Sequence, residues 1–301
     1  MLFARCTHCV EDDKSNVGRR VDVMITVVCP LYNAEKEILR LNKSLLAQKN
    51  VELEIKYILT KSRDKTKKIL DKNNICYTEI TKEEFSHSLT REKAAMSANG
   101  EVIVFLTQDV VISDEHFIEK LIRPIINGEV EATYARQVTK YNNIEKYTRE
   151  HNYPVESFVT SKADLKEKGL KTFFFSDAAG AVDAKTFKKL GGYDGKDLPI
   201  SEDMYFAYKL IMNGGKIKYV AEAVVYHSHK FTVKELYNRY KATGEFMKMN
   251  PQIAKYGVNA AGGGMAKYIL KAALKEGNWK VIVRYIPDMA ARFVGMKVGK
   301  R

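Results

Sequence analysis

Short apolar runs alternate, along residues 24–109, with segments in which apolar positions recur every three or four residues. Runs of the first kind are typical of buried strands, and segments of the second kind are typical of helices that pack one face on a core. The predicted strands are 24–30, 53–60, 76–80 and 101–109. The predicted helices between them are 35–48, 64–74 and 90–100.

This alternation predicts an α/β fold with a mostly parallel central sheet and helices on both faces. Near-continuous apolar strands need cover on both sides, which is the arrangement of parallel sheets. Ligands of such sheets bind beyond the carboxyl ends of the strands. We therefore expect the turns at 30–33, 61–64 and 107–109 to surround one crevice.

The turn after the first strand, CPLYNAEKE, contains no glycine. Dinucleotide-binding folds need G-x-G-x-x-G at this point and P-loops need G-x-x-x-x-G-K-[ST], so both kinds of site are disfavoured. A nucleotide bound without a glycine-rich cradle needs a cation to neutralise its phosphates. Asp109, at the end of the strand EVIVFLTQD, is the candidate residue to anchor that cation.

Two downstream motifs supply further titratable groups. In PISEDMYF, Ser201 is a predicted helix N-cap, with Glu202 and Asp203 in the first turn. Successive helical residues point about 100° apart, so at most one acid faces a ligand squarely, and both acids also complement the helix dipole. In VVYHSHKF, His227 and His229 share one side of a predicted strand end, and imidazole suits Mn²⁺ better than Mg²⁺.

The N-terminal segment has no periodic apolar pattern. We expect residues 1–23 to be a flexible extension, with Met24 as the alternative natural start. Cys6 and Cys9 have the spacing of half a zinc site, but no second pair follows, so we interpret the spacing as chance. The lack of a secretory signal and of a dense cysteine framework favours a reducing cytosol.

Positive charge is concentrated near the C-terminus. The formal net charge is +13, and residues 265–301 contribute +7, from nine basic and two acidic residues. In this region, apolar residues and lysines form two separate stripes at helical spacing, and Trp279 lies in a short apolar run. This pattern predicts a helix that lies on an anionic membrane surface. The alternative is a helical pair packed on the main domain or on a second subunit. No apolar run reaches the roughly 18 residues that a membrane span needs.

Six motifs follow one another in a fixed order: FSHSLTR (85–91), FLTQD (105–109), ARQ (135–137), NYP (152–154), SED (201–203) and HSH (227–229). Together with VVCPLYNAE, this pattern resembles the GT-A fold of family 2 glycosyltransferases, and most of all the bacterial rhamnosyltransferases of cell-wall and O-antigen polysaccharide synthesis. The resemblance covers about residues 24–245, which are expected to form the glycosyltransferase domain. Residues 246–301 are expected to form a basic, amphipathic helical region.

The resemblance implies roles for individual residues. The sequence T-Q-D stands where many sugar-nucleotide enzymes have Asp-x-Asp. One protein carboxylate is sufficient for Mg²⁺, because the donor diphosphate and water supply most of the six oxygens that the ion needs. Asp109 is implied as the ligand of Mg²⁺ or Mn²⁺ with His227 and His229, Asp203 as the general base, and Glu202 as a donor or acceptor contact. The implied donor-binding residues are Pro30, Tyr32, Asn33, Asp64, Arg91 and Gln108, and those of the sugar or acceptor pocket are Arg136, Gln137 and Asp177. The alternative to donor binding for Arg91 is a surface arginine without a role in the site.

The implied function is that of an inverting, metal-dependent rhamnosyltransferase. It would use dTDP-β-L-rhamnose and a polyprenyl-linked saccharide acceptor, in the cytoplasm or on the inner face of the cell membrane. One alternative is the same fold with a UDP-sugar or another dTDP-sugar. A second is a non-catalytic carbohydrate- or polyanion-binding protein, but the presence of both Asp109 and Asp203 argues against it, since a binder has no use for a base.

We expect no nucleic-acid partner, and the sequence leaves a homo-oligomer open. Departures from the family pattern at Ser86, Glu92, Ala135 and Asp177 concern the acceptor more than the reaction.

Overall fold

The structure is a computed structural model that describes residues 23–301, with the backbone alone at 258–262. The Cys6 and Cys9 pair and nearly all of the expected N-terminal extension lie outside these residues. Within the described chain, nine strands form one sheet. They are β1 (Met24–Leu31), β2 (Glu52–Thr60), β3 (Tyr77–Ile80), β4 (Val102–Leu106), β5 (Val111–Ile112), β6 (Ala132–Val138), β7 (Phe158–Thr160), β8 (Ala179–Asp183) and β9 (Ile217–Tyr226).

Helices follow most of these strands. They are α1 (Ile38–Leu46), α2 (Thr66–Lys72), α3 (His87–Met96), α4 (Phe117–Ile126), α5 (Ile144–Asn152), α6 (Leu165–Lys168), α7 (Ala184–Lys189), α8 (Glu202–Met212), α9 (Val233–Met249), α10 (Pro251–Ala254), α11 (Val258–Lys275) and α12 (Trp279–Gly299). Two short 3₁₀ turns, Lys162–Asp164 and Gly169–Phe173, flank α6.

The strand order is β3-β2-β1-β4-β8-β6-β9-β5, and β7 also pairs with β9. Strands β3, β2, β1 and β4 are parallel, and so are β6 and β9, whereas β8 between the two groups is antiparallel to both. Alternate residues of β4 enter different apolar clusters, with Ile103 and Phe105 in one and Val102 and Val104 in the other. Both faces are therefore covered, which confirms the predicted mostly parallel sheet with helices on either side.

Two element boundaries determine the positions of the predicted site residues Asp109 and Arg91. The strand predicted to run to Asp109 ends at Leu106, so Asp109 lies in the turn beyond the carboxyl end of β4. The helix predicted to begin at residue 90 begins at His87, because the Ser86 side chain accepts a hydrogen bond from the Leu89 amide and caps it. Arg91 is consequently inside a helix rather than at its start.

The C-terminal region is helical, as predicted, and it packs on the sheet domain. Helix α12 lies against α9 at a distance that only glycine permits: a Cβ on Gly295 would be 2.5 Å from the Tyr237 carbonyl oxygen, and one on Gly244 would be 2.5 Å from that of Met296. Arg292 of α12 also forms a buried ion pair with Glu145 of α5 at 2.8 Å. Helix α9 crosses the expected domain limit at residue 245 and joins the two parts.

Helix α11 packs on α5. Ile269 and Ala273 are buried there in a small cluster with Ile144 and Tyr147. The apolar side of α11 therefore packs on α5. This agrees with the alternative expectation that the segment packs on the main domain. Over residues 23–301, we find no helix with the length and apolar character required to cross a membrane.

Candidate active site

The turns after β1 and β4 are joined by a reciprocal pair of hydrogen bonds. The Tyr32 amide donates to Gln108 Oε1 at 2.7 Å, and Gln108 Nε2 donates to the Tyr32 carbonyl oxygen at 2.8 Å. Pro30 is the penultimate residue of β1, and Asn33 follows with a left-handed φ of 52°. These four predicted site residues therefore lie together at the carboxyl edge of the sheet.

Asp64 ties the turn after β2 to the same edge. Its Oδ2 accepts hydrogen bonds from Thr66 Oγ1 at 2.6 Å and from the Glu35 amide at 3.1 Å. Burial acts to raise the pKa of Asp64, but hydrogen bonds from Ser62 and Thr66 lower it overall. Asp64 is therefore an ionised group that fixes two neighbouring turns, and the turns after β1, β2 and β4 lie together at this edge of the sheet.

Asp109, His227 and His229 meet at this edge. Each offers one ligand atom, and these atoms all lie within 4.8 Å of one another. His227 Nε2 is 3.3 Å from Asp109 Oδ2, and the two imidazole rings are edge-to-face with centroids 4.4 Å apart. Because His227 and His229 follow β9 while Asp109 follows β4, the sheet brings together groups that are distant from one another in sequence.

The charge states of this group suit a divalent cation. Burial acts to raise the pKa of Asp109, but the adjacent His227 lowers it well below its usual range. Burial lowers the pKa of His227, and burial together with the neighbouring His227 lowers that of His229 to about 4. One carboxylate and two neutral imidazoles at neutral pH are a donor set that Mn²⁺ or a similar cation accepts.

Gln137 lies behind His227. It is buried, its Nε2 donates to Ser176 Oγ at 2.8 Å, and its Oε1 accepts from Arg149 and contacts His227 Nδ1 at 2.8 Å. Sequence reasoning assigned Gln137 to the sugar pocket and did not identify Arg149, although Arg149 lies just before the NYP motif. In the structure, Gln137 therefore contacts His227.

Arg136 has a different environment from its neighbour Gln137. It is half-buried, and its charge acts against the rise in the pKa of Tyr219 that burial causes. The pairing of β6 with β9 shifts register between Ala135 and Arg136, which alters the regular alternation of side chains at this point. Arg136 is therefore placed beside a buried tyrosine of β9.

A second group of charges surrounds the start of α8. Ser201 occupies the N-cap position as predicted, but it has a left-handed φ of 63° and its hydroxyl does not cap the helix. Asp203 is half-buried, and its Oδ1 accepts a hydrogen bond from the Met204 amide at 2.7 Å. Glu202 is buried and lies 3.4 Å from the guanidinium of Arg91. The two acids therefore have different partners, as helical geometry requires.

Arg91 is a buried residue, which excludes the surface alternative. Its Nη1 donates to the His87 carbonyl oxygen at 2.8 Å as well as facing Glu202. Asp177 is buried near it and accepts a hydrogen bond from the Tyr193 hydroxyl at 2.6 Å. Among the described residues, Asp177 Oδ1 and Arg91 Nε have no hydrogen-bond partner. Arg91 thus neutralises acids within the fold.

Burial raises the pKa of Asp177 and of Asp203. The pKa of Asp177 is raised to about 7 by burial and then by the charge of Glu202. The pKa of Asp203 is raised well above its ordinary value by burial, then by Glu202 and Asp177. Asp203 is therefore a stronger proton acceptor than an exposed aspartate.

Arg239 of α9 connects the two groups. Burial dominates the pKa shifts of both His227 and Asp203, and the charge of Arg239 acts to lower both values. Its guanidinium also lies 5.8 Å from the Phe231 ring centroid. Arg239 is therefore close enough to both groups for its charge to act on His227 and on Asp203. No sequence motif marked Arg239, since it belongs to an otherwise ordinary polar helix face.

The chain is similar to proteins that transfer sugars. The family model for glycosyl transferase family 2 matches residues 26–191. The O-antigen chain rhamnosyltransferase RfbN of Salmonella typhimurium is 33% identical over 282 residues, which cover 92% of this chain and 89% of that protein. The O-antigen chain rhamnosyltransferase WbaN of Salmonella anatum is 34% identical over 285 residues, with 91% and 89% coverage.

Solved structures share the fold at lower identity. Residues 1–349 of S. aureus TarS in complex with UDP-GlcNAc give a TM-score of 0.56 at 15% identity, over 91% of this chain and 90% of that one. The mannosyltransferase PcManGT of Pyrobaculum calidifontis, in complex with GDP-Man and Mn²⁺, gives 0.60 at 14% identity, over 93% and 88%. These structures agree with the GT-A fold, and the family match and the relatives agree with the motif order. The chain belongs to glycosyl transferase family 2.

Proposed function

We propose that this glycosyltransferase moves L-rhamnose from dTDP-β-L-rhamnose to a saccharide acceptor in cell-surface polysaccharide synthesis. The observation that carries the proposal is a metal-type group, Asp109 with two neutral imidazoles, together with a separate acid of raised pKa, Asp203. Rhamnose as the sugar is supported by the two Salmonella relatives. Inversion at the anomeric carbon is the outcome expected of family 2 enzymes.

Asp203 is the proposed general base. Its carboxylate takes the proton of the acceptor hydroxyl while that oxygen attacks the anomeric carbon. The bond from this carbon to the dTDP oxygen breaks, and its electron pair leaves with dTDP. The raised pKa of Asp203, caused by burial and by Glu202 and Asp177, makes its carboxylate a stronger proton acceptor than that of an exposed aspartate.

Asp109, His227 and His229 would hold Mg²⁺ or Mn²⁺, and the two histidines favour Mn²⁺. A cation bound there neutralises negative charge on the departing diphosphate. The carboxyl edge of the sheet would bind the donor nucleotide, through Pro30, Tyr32, Asn33, Asp64 and Gln108. Arg91 and Glu202 would fix the sugar side of the crevice from within the fold.

A panel of donors tests the proposed sugar and nucleotide. Purified protein with Mn²⁺ is incubated with dTDP-L-rhamnose, dTDP-glucose, UDP-N-acetylglucosamine or GDP-mannose, and nucleotide release is measured. The expected result is release from dTDP-L-rhamnose well above the other three. Faster release from a UDP-sugar would replace the proposed donor, and no release from any donor, with or without saccharide acceptor, would favour the non-catalytic binding alternative.

Asp177→Asn is expected to stabilise the protein more at high pH than at low pH. The folded state binds the Asp177 proton more tightly than the unfolded chain, because the pKa is about 7 against an ordinary 3.8. The stability contribution of the protonated acid is present below pH ~4 and is lost as pH rises through ~7, whereas asparagine does not titrate. Melting temperatures at pH 5 and pH 8 measure this.

The same variant should also move the acid limb of the pH–rate profile to lower pH. Asp177 is one of the charges that raise the pKa of Asp203, and asparagine removes it. Tyr193→Phe serves as the control, since it removes the hydrogen bond to Asp177 without removing the carboxyl. An unchanged difference in melting temperature between pH 5 and pH 8 would contradict the assignment of a buried, proton-holding Asp177.

The outer face of α12 is the proposed membrane contact. We define this face by Trp279, Val283, Ile286 and Phe293, whose exposed fractions are 71%, 76%, 75% and 68%. These residues recur at helical spacing, so they form one apolar stripe on the side of α12 that points away from α9. The lysines predicted on α11 lie nearby in sequence, but the apolar stripe belongs to α12.

Charge favours an anionic lipid surface as the occupant of this face. Lys280 and Lys297 of α12 are exposed, whereas Asp288, the only acid of the helix, is buried and bound to Arg284 at 2.8 Å. The exposed charges of α12 are therefore positive, and each basic residue near an anionic membrane contributes about 1 kcal/mol. Contact with the inner face of the cell membrane would place the crevice near a polyprenyl-linked acceptor.

Replacing Val283, Ile286 and Phe293 together by glutamate is expected to abolish co-sedimentation with vesicles rich in phosphatidylglycerol at low salt. The side chains are exposed, so the fold should persist, and circular dichroism checks it. Leu39→Glu with Leu46→Glu, at exposed positions of α1, is the matched control and should still pellet. Wild-type protein that stays in solution with these vesicles, or that forms a dimer lost in the triple variant, would assign the face to a second copy instead.

A further inference from the structure

We propose that Gln137 is a positioning residue that selects the tautomer of His227, so that the Nε2 atom of His227 presents its lone pair toward Asp109. The inference rests on the proposed metal site and goes beyond it, since Gln137 is not one of the three residues proposed to bind the cation. It replaces the expectation that Gln137 lines the sugar pocket. The reasoning depends on which atoms can donate and which can accept a hydrogen bond.

The orientation of the Gln137 amide is determined by two neighbours. Arg149 can only donate, so the amide atom that it contacts is the oxygen, Oε1. On the other side, the amide nitrogen donates to Ser176 Oγ at 2.8 Å. The atom of Gln137 that faces His227 is therefore an acceptor.

A neutral imidazole carries one hydrogen, and its partners decide where that hydrogen lies. His227 Nδ1 is 2.8 Å from Gln137 Oε1, which can only accept, so this contact requires the hydrogen on Nδ1. Nε2 then keeps a lone pair, and it is this atom that faces Asp109 Oδ2 at 3.3 Å. Only this tautomer allows Nε2 to act as a metal ligand.

The opposite tautomer has its own contacts in the structure. Arg149 Nη2 lies 3.3 Å from His227 Nδ1, and as a donor it would favour a bare Nδ1 with the hydrogen on Nε2. Nε2–H would then donate to Asp109 and occupy the atom that a cation needs. The Gln137 contact is at the preferred hydrogen-bond length, whereas both competing contacts are at the long end of the range. Gln137 therefore decides between a ligand-competent His227 and one bound to Asp109.

The test is the tautomer itself, read from ¹⁵N chemical shifts of the His227 ring in metal-free protein. His227→Gln identifies the signals by their loss. The expected result is hydrogen on Nδ1 in the wild type and a shift toward hydrogen on Nε2 in Gln137→Leu. Gln137→Glu keeps an acceptor at this position and should keep Nδ1 protonated, which also covers the case in which the leucine variant does not fold. Thr133→Val, a buried change on the same strand β6, should leave the shifts unchanged.

Mn²⁺ affinity provides the second measurement, by the electron paramagnetic resonance signal of free Mn²⁺. Loss of a residue that orients a metal ligand typically weakens binding by about 10–100-fold, which is the change expected for Gln137→Leu and not for Thr133→Val. Hydrogen on Nε2 in the wild type, or an unchanged tautomer in Gln137→Leu, would overturn the inference while leaving the transfer reaction untouched. Absence of Mn²⁺ binding by the wild type would instead overturn the metal site in the proposed function.

Discussion

Asp203→Asn is expected to reduce rhamnosyl transfer by a factor of about 10² or more while donor binding stays normal. Asparagine keeps the oxygen that accepts the Met204 amide hydrogen bond, but it cannot take a proton from the acceptor. The wild type should also lose activity as pH falls through the raised pKa of Asp203, because the protonated acid is no longer a base. Steady-state rates and donor titration by calorimetry measure the two effects.

Glu202→Gln is the comparison for this variant. Its expected effect is on stability, since Glu202 and Arg91 are a buried pair at 3.4 Å and breaking such a pair costs about 3–5 kcal/mol. Melting temperature therefore has to be measured beside the rate. If Glu202→Gln folds normally and is inactive while Asp203→Asn still turns over, the base is Glu202.

Asp109→Ala should lower transfer by about 10³-fold, the equivalent of about 4 kcal/mol of lost stabilisation of the departing diphosphate. The variant removes the carboxylate from the Asp109, His227 and His229 group and leaves two neutral imidazoles that hold a cation poorly. Donor binding in Mn²⁺ should weaken as well. Rates with Mn²⁺, Mg²⁺ and EDTA measure the dependence.

Asp114→Ala is the matched control for the metal site. This acid follows Asp109 closely in sequence, but its carboxylate is bonded to Ser113, the His116 amide and Lys120, so transfer should continue. Full wild-type activity in EDTA, or equal activity of Asp109→Ala and wild type, would show that the Asp109 group holds no cation needed for the reaction.

The sheet and the crevice could be predicted because burial leaves a local signature. Strands β1 and β4 are nearly all apolar, and the turns that follow them contain polar residues that meet at the carboxyl edge. The turns at 30–33, 61–64 and 107–109 were expected near one another for this reason, since parallel strands end at the same edge. The grouping of Asp109 with His227 and His229 was implied instead by the resemblance to family 2 glycosyltransferases. The roles of the residues in the crevice remain predictions that the variants above test.

The environments of Arg91 and Gln137 could not be predicted, because each depends on a contact distant in sequence. Ser86 starts α3 a turn earlier than the apolar pattern indicates, which directs Arg91 toward Glu202 in the second half of the chain. Gln137 and Arg136 are equally plausible pocket residues in the sequence, but as neighbours on β6 they point to opposite faces of the sheet. For α12, helical periodicity shows that an apolar face exists, but it does not say which side is covered by α9.

The glycine contact between α9 and α12 has a consequence for the order in which the protein is completed during translation. Helix α9 leaves the ribosome with an uncovered groove at Gly244, and the segment that fills it, around Gly295 and Gly299, is synthesised later. Arg239 is carried on the same helix, beside both the histidines and Asp203. Since domains fold largely as units, the part of the site carried by α9 reaches its final position only after α12 has emerged, and a chain stalled before that point would present the uncovered side of α9 to chaperones.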